Sequence, residues 1–119
     1  MATFMRLLLA CALGSALALA AGCKRSAGDG GTRAEAKQLF DSICGKCHGA
    51  DGRGGVPTAE GQPPPRDFTD PAFHASRTDA ELKNVIKNGK GPMPPFGALF
   101  DETQTALLVS YIRDFNPKK

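Results

Sequence analysis

Residues 44–48 read CGKCH, two thiols separated by two residues with a histidine directly after the second. Such residues serve four kinds of site: a disulfide, half of a zinc site, a redox-active dithiol or a covalent haem attachment site. In a helix, positions i, i+3 and i+4 share one side, so Cys44, Cys47 and His48 would point the same way. Two thiols on one face suit the two vinyl groups on one edge of a porphyrin, and the imidazole beside them suits an axial position on its iron.

The rest of the chain favours haem among these four interpretations. A disulfide would leave His48 without a role, and a thioredoxin-like dithiol would need strands in a βαβ pattern, which the sequence lacks. Zinc remains open on a bare count of ligands, with His74 as the fourth. However, His74 lies 26 residues beyond His48, whereas ligand histidines are usually three to five apart.

Three segments carry the signals of amphipathic helices. The first begins at Thr32 with a capping-box pattern and continues into Cys44 on an apolar face of Ala36, Leu39, Phe40 and Ile43. The second follows the capping pair Thr78 and Glu81 and ends at Asn88–Gly89. The third begins at Asp101, with Gln104 as its capping partner, and Asn116–Pro117 stops it.

The connections between these helices are long and rich in turn-forming residues. Residues 49–66 hold many glycines and prolines, and long ordered loops in small domains usually enclose or bind something. Residues 67–73 predict a short helical turn. The predicted fold is therefore all-α, with three main helices, long loops and no strand.

Met93 is the candidate for a second axial ligand. It stands in GPMPPF, where Pro92, Pro94 and Pro95 fix φ and remove backbone donors. A stiff loop suits a thioether, which is a weak ligand, because little entropy is lost when the bond forms. Ligation by His48 and Met93 would raise the reduction potential relative to two nitrogen ligands. The alternatives are a gap-filling Met93 and His74 as the sixth ligand. We otherwise expect His74, which lies ahead of the second main helix, to be a histidine of the surface or of the haem edge.

The N-terminus has the layout of an export signal. Arg6 precedes an uncharged apolar run over residues 7–21, which is short for a membrane span. The run ends in LALAAGC, which resembles the lipobox of bacterial lipoproteins and marks Cys23 as the lipidated first residue. A plain signal peptide that leaves Cys23 as a free thiol is the alternative. We expect a signal over residues 1–22, a lipidated cysteine and flexible tether over 23–31 and one folded domain over 32–119.

Most of residues 33–115 resemble a small class I monohaem cytochrome c of bacteria. The residues that carry the resemblance are LFDSICGKCHGADGRG, DAELKNVIKNGKGPMPPFG and LLVSYIRDF. The resemblance implies a helical cytochrome c fold around one covalent haem c. The sequence departs from the family pattern at two positions. Ala36 stands where glycine is common, and Thr105 stands where an aliphatic residue is usual.

The resemblance also implies residue roles. Cys44 and Cys47 would form the thioethers, His48 would be the proximal ligand and Met93 the distal one. Pro57 would stand near the loop carbonyl that accepts the Nδ1–H bond of His48. Arg66 is a candidate partner of a haem propionate. Three lysines, Lys46, Lys87 and Lys90, could form a docking patch for an acidic partner, or simply an ordinary charged surface.

These observations predict a single-electron carrier rather than an enzyme. Bacterial cytochrome peroxidases of this general kind use two haems, whereas this chain has one CxxCH. The alternatives are a haem-based sensor or gas-binding module with a displaceable Met93, and a cytochrome subunit of a larger oxidoreductase complex. The expected partners are a redox protein donor and acceptor, and the membrane through the lipid. The small net charge of +3 does not suggest nucleic-acid binding.

The lipid tether is directly testable. Cys23→Ala should move the protein from the membrane fraction to the soluble fraction of an exporting bacterial host, because no thiol remains to be acylated. Fractionation and intact mass would be compared with those of the unaltered chain. An unaltered chain that is soluble and carries no acyl mass would contradict the prediction.

Overall fold

The computed structural model describes residues 30–118, and in this part of the chain all regular structure is helical. The elements are α1 (Gly30–Leu39), a π-helical turn (Phe40–Cys44), α2 (Gly45–His48), α3 (Pro71–Ala75), α4 (Asp79–Asn88) and α5 (Glu102–Asp114). An isolated antiparallel bridge joins Lys90 and Met93. The predicted all-α class is confirmed. The predicted signal, Cys23 and residues 24–29 of the predicted tether lie outside the described residues.

The helix that leads into CGKCH is continuous. Leu39 and Gly45, which flank the π-helical turn, both have right-handed helical dihedrals, and the Gly45 N–H donates to the Phe40 carbonyl. The helix begins at Gly30, two residues before the predicted start at Thr32, and helix boundaries ordinarily differ by one or two residues.

The two later long helices, α4 and α5, begin where their capping patterns predict, whereas the short helical turn predicted over residues 67–73 is found at Pro71–Ala75. The Thr78 hydroxyl accepts from the Glu81 N–H at 3.2 Å, and the Glu81 carboxylate accepts from the Thr78 N–H at 2.8 Å. Asp101 and Gln104 form the same reciprocal pair at the start of α5. The short helix α3 follows Asp70, whose carboxylate accepts from the Ala72 N–H at 2.9 Å. Each cap satisfies backbone donors that the first turn leaves free.

The core forms where α5 packs against both α1 and α4. Phe40, fully buried, has its ring centroid 5.2 Å from those of Tyr111 and Phe115 and 6.2 Å from that of Phe68. The cluster of buried apolar residues comprises Phe40, Phe68, Leu82, Ile86, Phe100, Leu108, Val109 and Ile112. The π-helical turn therefore lies on the core that the later helices share.

The two departures from the family pattern fit this core. Ala36 is buried, and its small side chain permits close packing of α1. Thr105 is fully buried, and its hydroxyl donates to the Asp101 carbonyl at 2.7 Å, so no polar group is left unsatisfied there.

Ion pairs at the surface join the same helices. Arg33 pairs with Asp114 between α1 and α5, and Lys83 and Lys87 both pair with Glu102 between α4 and α5. Such exposed pairs stabilise a fold only modestly. Across residues 30–118 no helix has the length and apolarity that spanning a membrane requires.

Phe40→Ala should destabilise the protein by about 3–5 kcal/mol, because it removes a fully buried ring and leaves a cavity in the core. Leu99→Ala is the control: Leu99 is 56% exposed, and the change should stay within about 0.5 kcal/mol. Denaturant unfolding of both variants would measure the difference. Equal losses at the two positions would contradict the packing described.

Candidate haem site

The CGKCH residues lie in the last turns of the first helical segment. Cys44 is half-buried against the core, Cys47 is exposed, and both thiols are free. His48, half-buried, is the last residue of α2, after which Gly49 turns the chain away with φ +77°. The continuous helix thus supports the expectation that both thiols and the imidazole belong to one helix end.

The Nδ1 atom of His48 faces a backbone carbonyl of the loop that follows α2. Nδ1 of His48 lies 3.2 Å from the carbonyl oxygen of Arg66, to which Nδ1–H donates. This tautomer leaves the lone pair of Nε2 available to a metal. The prediction placed this carbonyl near Pro57. That assignment is wrong: Pro57 is exposed, and the carbonyl belongs to a residue nine positions later.

The loop returns to His48 through two backbone hydrogen bonds and a close approach. Gly54 N–H donates to the His48 carbonyl at 2.7 Å, and Phe68 N–H donates to the Gly52 carbonyl at 2.8 Å. Gly54 has φ +59°, and a Cβ there would lie 2.4 Å from the Pro65 carbonyl oxygen. Only glycine fits, because any side chain would push residues 65–66 away from His48.

Phe68 covers one face of the His48 imidazole. The two ring centroids lie 4.4 Å apart and the planes differ by 18°, so the rings are stacked. Burial lowers the pKa of His48, and the hydrogen bond to the Arg66 carbonyl opposes that shift. Sequence reasoning did not single out Phe68. Its only signal was one apolar residue after a proline-rich polar loop.

The burial of the Cys44 thiol argues against a redox-active dithiol. Burial raises the pKa of the Cys44 thiol to about 11. A redox dithiol needs a thiolate with a lowered pKa, and the surroundings of Cys44 do the opposite. Two free thiols, with an imidazole that presents Nε2, fit the donor set of a covalent c-type haem.

Met93 lies in a closed turn after α4. Lys90 and Met93 exchange backbone hydrogen bonds at 3.0 and 3.1 Å. Beyond the turn, Phe96 N–H donates to Ile86 and Gly97 N–H donates to Lys87, which ties the segment back onto α4. Met93 is partly buried against the same core cluster as Cys44. Hydrogen bonds thus add to the stiffness expected from the three prolines.

Gly89 makes this turn possible. It has φ +74°, and a Cβ there would lie 2.6 Å from the Met93 carbonyl oxygen and 2.9 Å from the Pro95 nitrogen. A side chain at this position would displace the backbone of Met93 itself. Gly91, inside the turn, also has a positive φ of +56°, yet a Cβ there would meet nothing within 4 Å.

His74 is buried, so the expectation that it lies on the surface is wrong. Its Nε2–H donates to the Phe68 carbonyl at 2.6 Å, and its Nδ1 accepts from Arg113 at 3.3 Å. Both ring nitrogens are therefore occupied. A metal could reach His74 only by displacing one of these bonds.

The remaining predicted residues are on the surface. The Arg66 side chain is exposed and, with Arg77, borders a cavity of about 370 Å³, so its contact with a propionate stays a prediction. Of the three lysines in the expected docking patch, Lys87 pairs with Glu102 at 3.0 Å, which neutralises part of its charge. Lys46 and Lys90 are exposed.

Comparison with known proteins gives consistent matches. A family model described as "Cytochrome C oxidase, cbb3-type, subunit III" matches residues 31–112. Cytochrome c6 of Chlorolobion braunii is 30% identical over 79 residues, which are 66% of this chain and 84% of that protein. The solved KustC0563 c-type cytochrome is 30% identical, with a TM-score of 0.58 over 68% of this chain and 96% of its own.

Cys44→Ser and Cys47→Ser should each reduce the covalent retention of haem, because a serine hydroxyl forms no thioether. Haem staining after denaturing electrophoresis and intact mass would measure it, with Lys46→Ala as a control that keeps both thiols. Extraction of the pigment from the unaltered protein by acidic organic solvent would contradict covalent attachment.

Proposed function

The chain belongs to the monohaem c-type cytochromes, with covalently bound haem c as its cofactor, and from this premise we propose that it carries single electrons with its iron ligated by His48 and Met93. Haem c, when bound, supplies a one-electron couple of iron. The residues of the chain would attach it through Cys44 and Cys47, orient the proximal imidazole and close the remaining axial position. An iron with both axial positions occupied by protein ligands would exchange electrons without binding a substrate.

The stiffness of the Met93 turn is the observation that carries this proposal. The reciprocal bonds with Lys90 and the two bonds back to α4 fix the backbone on both sides of Met93. Outside residues 1–22, Met93 is the single methionine of the sequence. Because the turn is already ordered, little conformational entropy would be lost on ligation. The thioether would favour reduced iron and hold the potential above that of a bis-histidine centre.

The contacts of His74 support Met93 over the minor alternative. His74 would have to lose its hydrogen bond to Phe68 or to Arg113 before it could ligate iron. It is also buried, with only 8% of its surface exposed. Loss of a buried hydrogen bond costs about 1–3 kcal/mol when a partner is left unsatisfied. Ligation by Met93 carries no such cost.

A second candidate is a cytochrome subunit of a larger oxidoreductase. The description of the matching family model, which names subunit III of a cbb3-type oxidase, favours it. A subunit would co-purify with its complex after mild detergent extraction, whereas a carrier would be extracted from the membrane without other subunits. A haem-based sensor would differ from the carrier and from the subunit, because an external ligand would have to displace Met93 from the iron.

We place the protein, as part of the same proposal, on the periplasmic side of a bacterial membrane. The signal-like run over residues 7–21 and the lipobox-like LALAAGC support export and acylation of Cys23. A lipid-anchored carrier would exchange electrons with redox proteins that are close to the same membrane. Exposed Lys46 and Lys90 offer positive charge to an acidic donor or acceptor.

Met93→Ala should abolish the weak long-wavelength iron–sulfur charge-transfer band of the oxidised protein, open the iron to cyanide and carbon monoxide, and lower the midpoint potential. His74→Ala should keep the band, because His74 is engaged elsewhere. The opposite pattern, with loss of six-coordination only in His74→Ala, would overturn the assignment. Ready binding of carbon monoxide by the unaltered reduced protein would favour the sensor.

A matched glycine pair tests the turn without removing the ligand. Gly89→Ala should weaken the charge-transfer band, because its Cβ would collide with the Met93 carbonyl. Gly91→Ala suffers only the strain of its positive φ, about 1–2 kcal/mol, and should keep the band. Equal spectra in the two variants would contradict a role for the turn geometry in ligation.

A further inference from the structure

Arg113 forms the densest set of side-chain hydrogen bonds around the connection between α3 and α4. Its Nε donates to the Asp79 carboxylate at 2.9 Å, and its Nη2 donates to the Arg77 carbonyl at 2.6 Å. Its Nη1 lies 3.1 Å from the His74 carbonyl oxygen and 3.3 Å from His74 Nδ1. The Arg113 side chain is 20% exposed, so these bonds are only partly accessible to water.

This arrangement selects one tautomer of the His74 ring. The Arg113 guanidinium has only donors, so Nδ1 of His74 must accept and the proton must lie on Nε2. That Nε2–H donates to the Phe68 carbonyl at 2.6 Å in a buried site. His74 therefore bridges the end of α5 and the backbone of Phe68 through its two ring nitrogens.

Phe68 belongs to a strap, residues 66–68, that holds His48 at two places. The Arg66 carbonyl accepts from Nδ1 at 3.2 Å, and the Phe68 ring stacks on the imidazole face at 4.4 Å. On its outer side, the backbone of this strap meets His74 through the Phe68 carbonyl. The sequence of contacts runs from Arg113 through His74 and the strap to His48.

We propose that His74 and Arg113 are positioning residues for His48, setting through the strap the plane of the imidazole and the strength of its Nδ1–H bond to Arg66. Outer hydrogen bonds of this kind orient a metal-bound histidine and raise its basicity. A more basic imidazole stabilises oxidised iron, so the intact network lowers the midpoint potential. This inference rests on the proposed ligation by His48 and is independent of Met93.

His74→Leu is the main test on the haem-loaded protein. It removes both bonds, so the strap loosens, the Nδ1–H bond weakens and the midpoint potential should shift upward. The haem-methyl hyperfine shifts of the oxidised protein, which report the orientation of the axial imidazole, should change with it. His74→Gln places an acceptor and a donor at similar spacing and should restore both readouts toward those of the unaltered protein.

Two further variants separate positioning from mere stability. Glu102→Gln breaks the surface pairs of α5 with Lys83 and Lys87 without contacting the strap, and it should leave the potential and hyperfine shifts unchanged. Arg113→Met keeps an aliphatic stem but removes every donor, and it should shift the potential in the same upward direction as His74→Leu. It also decides the question if His74→Leu fails to fold.

The proposal would be overturned if His74→Leu left the midpoint potential and the hyperfine shifts unchanged, even if the variant unfolded at a lower denaturant concentration. If His74→Leu does not fold, the same result in Arg113→Met would overturn it. Failure of the proposed function would look different. In that case the unaltered protein itself would lack the spectrum of a His/Met-ligated iron, whatever the effect of changes at His74.

Discussion

The burial of Phe40 is the constraint on which the arrangement of the site depends. Phe40 is the first residue of the π-helical turn that ends at Cys44, and its ring contacts Tyr111 and Phe115 of the C-terminal region as well as Phe68 of the strap. One side chain therefore fixes the helix that carries the thiols against both the helix that closes the core and the loop that supports His48. Aromatic packing of this kind is worth several kcal/mol in buried area and ring contacts.

From that anchor, the site is built by two segments that contribute in different ways. The strap returns to the proximal side of His48 because Gly54 permits the close approach of the Pro65 carbonyl, and it supplies a carbonyl and a ring. The turn after α4 is closed by its own backbone bonds and presents Met93 against the same core. The His48 imidazole is thus held by contacts between residues far apart in sequence, whereas the Met93 turn is held by contacts between neighbours in sequence.

This difference explains what the sequence could predict. Helix starts at Thr78 and Asp101, the stiff turn at Met93 and the chemistry of CGKCH are local in sequence, so composition and spacing reveal them. The partner of His48 depends on how an 18-residue loop folds back, which spacing does not encode. The sequence therefore points to Pro57, whereas the carbonyl that accepts from His48 belongs to Arg66. The burial of His74 was missed for the same reason, since Arg113 lies 39 residues away. The π-helical turn left no recognisable pattern.

The most direct measurement of the central claim is the proton NMR spectrum of the reduced, haem-loaded protein. In reduced low-spin iron the porphyrin ring current displaces upfield any group held over its face. If His48 and Met93 hold the iron, a three-proton resonance of the Met93 Cε methyl will be displaced far upfield and will vanish on selective deuteration of methionine methyls. A spectrum with no displaced methionine methyl, and with displaced ring protons of His74 instead, would contradict it.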